Sequence, residues 1–346
     1  MSTRRSIKVQ SAPPWSSSLL LLTLLGCLGR EPLGPPSADT PAAASTELTA
    51  VMAAADIWTT RSSMPTARRR LAAAAVDGVL YAVGGENGFL SPLTTVETYT
   101  TGSNRWATRA PLPESRSAPS GTGAIDGVLY VAGGLDASGQ ATTSLYAYDP
   151  STDSWSTRAP MPIAGACGVS GVVDRRLYVY TNTSNCSESD DHAFVRYNPT
   201  TNSWTALSVP AKVHYLPAGG TIGGKFYLAG GLNFTDGTSG RYVEAYNPTT
   251  DQWSPKALTP TARYATAGAV VNNNLYVAGG FTGTEYNNTL EVYDARSDTW
   301  LGLANMPTAR GFLAAASLGG KLYAVGGRDE TGFLTANEAY NPSARR

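Results

Sequence analysis

Short apolar runs bounded by glycine recur along the chain. The stretch Asp77–Gly85 reads Asp-Gly-Val-Leu-Tyr-Ala-Val-Gly-Gly, and with small changes it returns at Asp126–Gly134, Gly223–Gly231, Asn273–Gly280 and Gly319–Gly327; a degraded copy lies at Asp174–Asn182. Each copy predicts a tight turn, a short strand and a glycine pair. The landmarks around it repeat as well. After Trp15, tryptophans stand at Trp58, Trp106, Trp155, Trp204, Trp253 and Trp300, in steps of 48, 49, 49, 49 and 47. One tyrosine comes three residues before the glycine pair (Tyr81, Tyr130, Tyr178, Tyr227, Tyr276, Tyr323), and a second lies in the next strand (Tyr99, Tyr148, Tyr197, Tyr246, Tyr293, Tyr340). A period of this length marks an array.

Each unit reads as four strands: one of small residues such as Leu71–Val76, the Leu80–Val83 strand, the Val96–Tyr99 strand, and one around the tryptophan. The first two are apolar on both faces, which requires cover on both sides, so sheets must pack face to face around an axis. Helical periodicity is absent. The glycine pair Gly84-Gly85, Tyr99 and Trp106 stand at the spacing of the kelch repeat, and the pattern, which covers residues 56–346, resembles that family. The third unit departs from it, with Thr181-Asn182 in place of the glycines. The resemblance implies an all-β fold, a six-bladed β-propeller. The folded part opens on a tryptophan strand, Ile57–Thr60, and ends after Tyr340, so the N-terminal strand is expected to close the ring as the outer edge of the last blade.

Ahead of the repeats the patterning changes. Arg4, Arg5 and Lys8 followed by the apolar run Leu19–Leu25 read as a signal segment over residues 1–26, too short to span a bilayer. It ends in Leu24-Leu25-Gly26-Cys27, which resembles the lipobox of bacterial lipoproteins and implies lipidation of Cys27; an ordinary cleaved signal peptide is the alternative. Residues 27–55, rich in Pro, Ala, Ser and Thr, then form a flexible tether. The expected location is the cell envelope, lipid-anchored on a periplasmic or surface face, or secreted if the anchor is absent. Cleavage leaves 23 of the 26 basic residues against 26 acidic ones, and a net charge near −3 gives no footprint for nucleic acid.

Ten residues after each tryptophan, where the chain enters the innermost strand, stand Arg68, Arg116, Gly165, His214, Arg263 and Arg310. In a propeller these side chains are candidates to ring the channel mouth and take carboxylates of acidic peptides or acidic sugars. A structural alternative is written in the same repeat. Two residues before the second tyrosine stand Glu97, Tyr146, Val195, Glu244, Glu291 and Glu338, a match that suggests internal ion pairs. On that view Arg116, whose unit has tyrosine instead of glutamate, is the arginine most free to meet a ligand. In the third unit Cys167 and Cys186 fall at one end of the blade and are expected to form a disulfide; a metal site with Asp190, Asp191 and His192 has no ligand spacing behind it.

With His192 and His214 the only histidines, a copper centre like that of the kelch-bearing galactose oxidase is not expected, and no Gly-x-Ser-x-Gly elbow or phosphate loop occurs. These readings favour a monomeric, non-catalytic domain without a cofactor that recognises a protein, peptide or glycan through its loop face. The alternative is an enzyme similar to a sialic acid mutarotase, with acid–base work shared by His214 and a glutamate.

Overall fold

The computed structural model describes residues 56–88, 90–186, 191–232 and 240–343; the signal segment, Cys27, the tether and Asp190 lie outside them. Six four-stranded antiparallel sheets follow one another in the chain. Blade 1 comprises Ala72–Val76, Val79–Val83, Val96–Thr100 and Arg105–Thr108; blade 2 comprises Gly121–Ile125, Val128–Ala132, Leu145–Asp149 and Ser154–Thr157. Blade 3 runs through Ala166–Val173, Arg176–Asn182, His192–Asn198 and Ser203–Ala206, and blade 4 through Ala218–Ile222, Lys225–Ala229, Val243–Asn247 and Gln252–Pro255. Blade 5 is Ala267–Val271, Asn274–Ala278, Leu290–Asp294 and Thr299–Gly302. Blade 6 takes Ala314–Leu318, Lys321–Val325 and Asn337–Asn341, and its outer strand is the N-terminal Ile57–Thr60, with Trp58 opposite Tyr340. The chain is therefore an all-β, six-bladed propeller closed between its two ends.

The apolar interior lies in layers between neighbouring blades. Between blades 1 and 2, for example, Ala72, Ala74, Val76, Val83 and Val96 pack against Leu129, Val131, Tyr146 and Tyr148. Small residues dominate the innermost strands because those strands converge on the axis: a Cβ on Gly268 would lie 2.8 Å from the amide nitrogen of Gly219 in blade 4. The glycine pairs serve the same closeness. Gly84 sits at φ +61°, where a Cβ would meet the Arg116 carbonyl oxygen at 2.5 Å, and Gly85 donates its N–H to that oxygen.

A second repeated device joins the blades at their outer rim. Two residues before each tryptophan stands an Asp or Asn in the left-handed conformation: Asp56, Asn104, Asp153, Asn202, Asp251 and Asp298. In blades 1 to 5 its Oδ1 accepts the hydroxyl of the second tyrosine, as in Tyr293 to Asp298 at 2.6 Å, and also an amide of the preceding blade, as from Ala257 at 2.9 Å. The tryptophan Nε1 donates to a carbonyl of the same preceding segment, Trp300 to Ala257 at 2.9 Å. In blade 6 the acceptor comes from the other end of the chain: Asp56 takes the Tyr340 hydroxyl at 2.7 Å and the Ser343 hydroxyl at 2.6 Å.

Candidate functional site

The residues ten after each tryptophan are buried inside the blades. Arg68, Arg263 and Arg310 each reach the glutamate of their own blade, Glu97 at 3.0 Å, Glu291 at 2.9 Å and Glu338 at 2.5 Å, with every side chain at most 3% exposed. Each also donates to a strand carbonyl, from Ala82, Val277 and Ala324 respectively. Burial pulls Arg68 down to about 10 against the field of Glu97, and it lowers Arg263 and Arg310 in the same way. A charge with no exposed surface and a partner already in place is a wall component, not a ligand contact.

His214 follows the same plan. Its Nδ1 lies 2.8 Å from the Gly230 carbonyl and its Nε2 3.0 Å from Glu244 Oε2, so both ring nitrogens are engaged inside the blade. Burial raises Glu244, but His214 and the amides of Lys212 and Ala211 outweigh it and hold the carboxyl below its usual range.

The expectation that Arg116 is free is corrected. Glu114, from the loop just before it, bonds its Nη2, the Ser115 carbonyl accepts at 2.7 Å, and the Tyr146 ring lies 5.8 Å from its Cζ. Hydrogen bonds from Arg116 and Tyr146 hold Glu114 below the usual carboxylate range. Arg116 is 3% exposed; the missing strand glutamate has been replaced from the loop, not left vacant. In the third unit Gly165 admits Thr181, whose Oγ1 would lie 2.3 Å from a Cβ there. Cys167 and Cys186 are joined by a disulfide, with their Cα atoms 5.6 Å apart. Asp191 and His192 belong to no group of three or more His, Cys, Asp or Glu side chains able to hold a metal among the described residues.

The channel mouth is built one and two residues further on. Twelve residues after each tryptophan stand Arg70, Ala118, Cys167, Leu216, Ala265 and Phe312, all with φ between 46° and 55°. They form a collar bound edge to edge through the backbone. Ala118 N–H donates to the Arg70 carbonyl, Cys167 to Ala118, Ala265 to Leu216, Phe312 to Ala265 and Arg70 to Phe312, which makes five of six joints. The collar encloses about 80 Å³, and below it a channel of about 410 Å³ is walled by the small residues of the innermost strands. Arg70 is the one charged side chain on the collar; the other five are apolar.

Around the collar, in five of the six units, the residue eleven after the tryptophan pairs with the one just past the glycine pair: Arg69 with Glu86, Ser117 with Leu135, Tyr215 with Leu232, Tyr264 with Phe281 and Gly311 with Arg328; in the third, Ala166 pairs with Asn182. The result is asymmetric. Blades 5, 6 and 1 present aromatics and cations, with Arg69 and Arg70 over the Phe312 ring at 5.4 and 5.3 Å and Arg328 over Tyr286 at 5.7 Å. Blade 2 presents small and aliphatic groups. Sequence reasoning missed these residues because it followed the repeated position. The signal was the opposite one: at eleven and twelve after the tryptophan the units stop resembling each other.

Residues 45–290 match the family model described as the attractin/LZTR1 beta-propeller, and residues 309–346 match the kelch motif. No curated protein matches the sequence. Among solved structures, that of YjhT superposes with a TM-score of 0.68 at 18% identity, over 81% of this chain and 96% of that one. At that identity the likeness shows the fold.

Proposed function

The chain belongs to the attractin/LZTR1 beta-propeller family, and from that premise we propose that it is a non-catalytic binding domain that recognises a protein, peptide or glycan at the channel entrance bearing Arg70. The observation that carries this reading is the contrast between neighbouring positions. The charges of the repeat are closed off in ion pairs, whereas half-buried, non-repeating side chains such as Tyr264, Phe281, Phe312 and Arg328 are mounted on the six-fold frame. Scaffold residues repeat because every blade needs them; residues that serve one ligand have no reason to.

The test is capture by the full chain on peptide and glycan arrays, repeated with Phe281→Ala at the entrance and Arg175→Gln in the turn at the opposite end of blade 3. Loss of an aromatic contact is expected to weaken capture by about ten-fold or more while Arg175→Gln leaves it unchanged. Capture indifferent to Phe281→Ala overturns the assignment of this face.

The basic n-region, the apolar run and Cys27 support placing the domain outside the cytoplasm on a lipid anchor. Metabolic labelling with a radioactive fatty acid that survives Cys27→Ser would refute the anchor. An enzymatic reading similar to a sialic acid mutarotase needs an acid and a base at the entrance, since the His214 side chain has no exposed surface. Anomer interconversion followed by NMR tests that alternative directly.

A further inference from the structure

The entrance carries more cation than its own carboxylate balances. Arg69, Arg70 and Arg328 bring guanidinium groups to one side of the collar, and among the described residues Glu86 is the one acidic side chain in contact with them. Its Oε1 lies 2.8 Å from Arg69 Nε and 3.7 Å from Arg70 Nη1. Asp329, beside Arg328, is engaged in its own turn, where Oδ1 accepts from the Thr331 amide at 2.7 Å, the Thr331 hydroxyl at 2.6 Å and the Gly332 amide at 3.2 Å. Arg69 is therefore hydrogen-bonded to Glu86, Arg70 shares that carboxylate only at the longer distance, and Arg328 has no acidic side chain in contact among the described residues. Arg70 and Arg328 share with the wall arginines Arg68, Arg263 and Arg310 an Nε without a hydrogen-bond partner, and what sets them apart is that their side chains are partly exposed at the entrance.

Both guanidinium groups are also oriented for use. Arg70 lies over Phe312 and Arg328 over Tyr286. An arginine placed on a ring face has its flat side occupied and its N–H edge available to a third group, and that edge matches the two oxygens of a carboxylate. The setting favours a monoanion over phosphate. Apart from Arg70 the collar is Ala118, Cys167, Leu216, Ala265 and Phe312, so a strongly hydrated dianion would shed water against apolar walls with one fork to replace it. The collar opening is narrow and open to solvent, so a carboxylate can reach Arg70 from outside while the rest of its ligand stays at the rim.

We infer that the entrance binds a carboxylate, with Arg70 as the anchoring donor and Arg328 as the second cation, each held in place by the ring beneath it, Phe312 and Tyr286. This rests on the reading of the entrance as a binding face and names the chemistry it selects. The carboxylate has two natural sources, an acidic amino acid and a sugar acid.

The experiment is calorimetric titration of the full chain with N-acetylglutamate and with glucuronate, against N-acetylglutamine, glucose and inorganic phosphate. At least one carboxylate is expected to bind about ten-fold or more tightly than its neutral counterpart and than phosphate, and the better of the two identifies the source. Arg70→Gln is expected to remove that preference and Arg328→Gln to reduce it several-fold, with Arg175→Gln unchanged and thermal melts showing that each variant folds. The inference is overturned by a carboxylate preference that survives Arg70→Gln, by tighter binding of phosphate, or by no saturable binding of either carboxylate. Equal binding of glucose and glucuronate, both weakened by Phe281→Ala, would remove the carboxylate and leave the binding face standing. Array capture that ignores Phe281→Ala would remove both.

Discussion

Arg68, Arg263 and Arg310 have each been taken out of water together with a buried glutamate, and the cost of that transfer is recovered only while both remain. Removing one partner therefore exposes the penalty. Glu291→Ala leaves the Arg263 guanidinium, which is 2% exposed, with carbonyl acceptors alone. Denaturant unfolding should show a loss of about 3–5 kcal/mol, a size reserved for an unpaired buried charge. An unchanged midpoint would mean that water reaches the site. The alternation of Arg or His with Glu at fixed offsets made this pairing readable in the sequence at Arg68, Arg263, Arg310 and His214. It misled at Arg116, because Glu114 is supplied from a loop and lies outside the repeat that was being compared.

At the level of the element, the turn before each tryptophan is the least conspicuous part of the sequence and one of the most connected in space. Two residues before every tryptophan stands an Asp or Asn, and in blades 1 to 5 it holds a tyrosine of its own blade and an amide of the blade before. The residues were legible; their partners were not, because the bonded groups lie some 40 residues away in sequence, as in Ser208 to Asp251 with a separation of 43. Where the residue is aspartate, these turns are sensitive to pH. The Tyr148 hydroxyl lowers Asp153, the Ser208 amide and Tyr246 lower Asp251, and Tyr293 lowers Asp298, each from an ordinary 3.8. A carboxyl depressed by folding adds stability that is complete above its unfolded value and is lost as pH falls through its folded one. The melting temperature should hold on the acid side until about pH 4 and decline below it, and Asp298→Asn should flatten that decline. Burial raises Tyr148, Tyr246 and Tyr293 above their ordinary 10.0, so a second decline is expected as pH climbs past that value. A melting profile flat across both limits would count against these links.

For the molecule as a whole, the closure of the ring depends on the first described residues finding the last. The period of the tryptophans established six blades and even the identity of the closing strand, since Ile57–Thr60 has a tryptophan and no tyrosine strand before it. It did not reveal Asp56 as the clamp. Asp56→Ala removes the acceptor of the Tyr340 hydroxyl and of the Ser343 amide and hydroxyl, and should cost about 1–3 kcal/mol. Amide exchange should quicken first in Ile57–Thr60 and its partner Asn337–Asn341, with blade 3 the same as before; a uniform change would mean that closure is not local. The entrance was the least legible part, for a physical reason: a propeller fixes where each strand runs, while the collar residues leave strand geometry through a left-handed φ. Counting along a strand thus assigns their direction wrongly.

The collar also decides what kind of selectivity this opening can have. Its peptide bonds run head to tail around the rim, all in one sense, so their dipoles circulate and largely cancel at the centre instead of pointing into it. Five of the six N–H groups are consumed sideways by the next carbonyl, and none of those five is left to face an incoming ion. A helix N-terminus or a glycine-rich loop attracts anions with its main chain; this rim is electrically quiet. Discrimination by charge is thereby left to the side chains, and in the carboxylate site inferred above it rests on Arg70 with Arg328 beside it, not on the main chain.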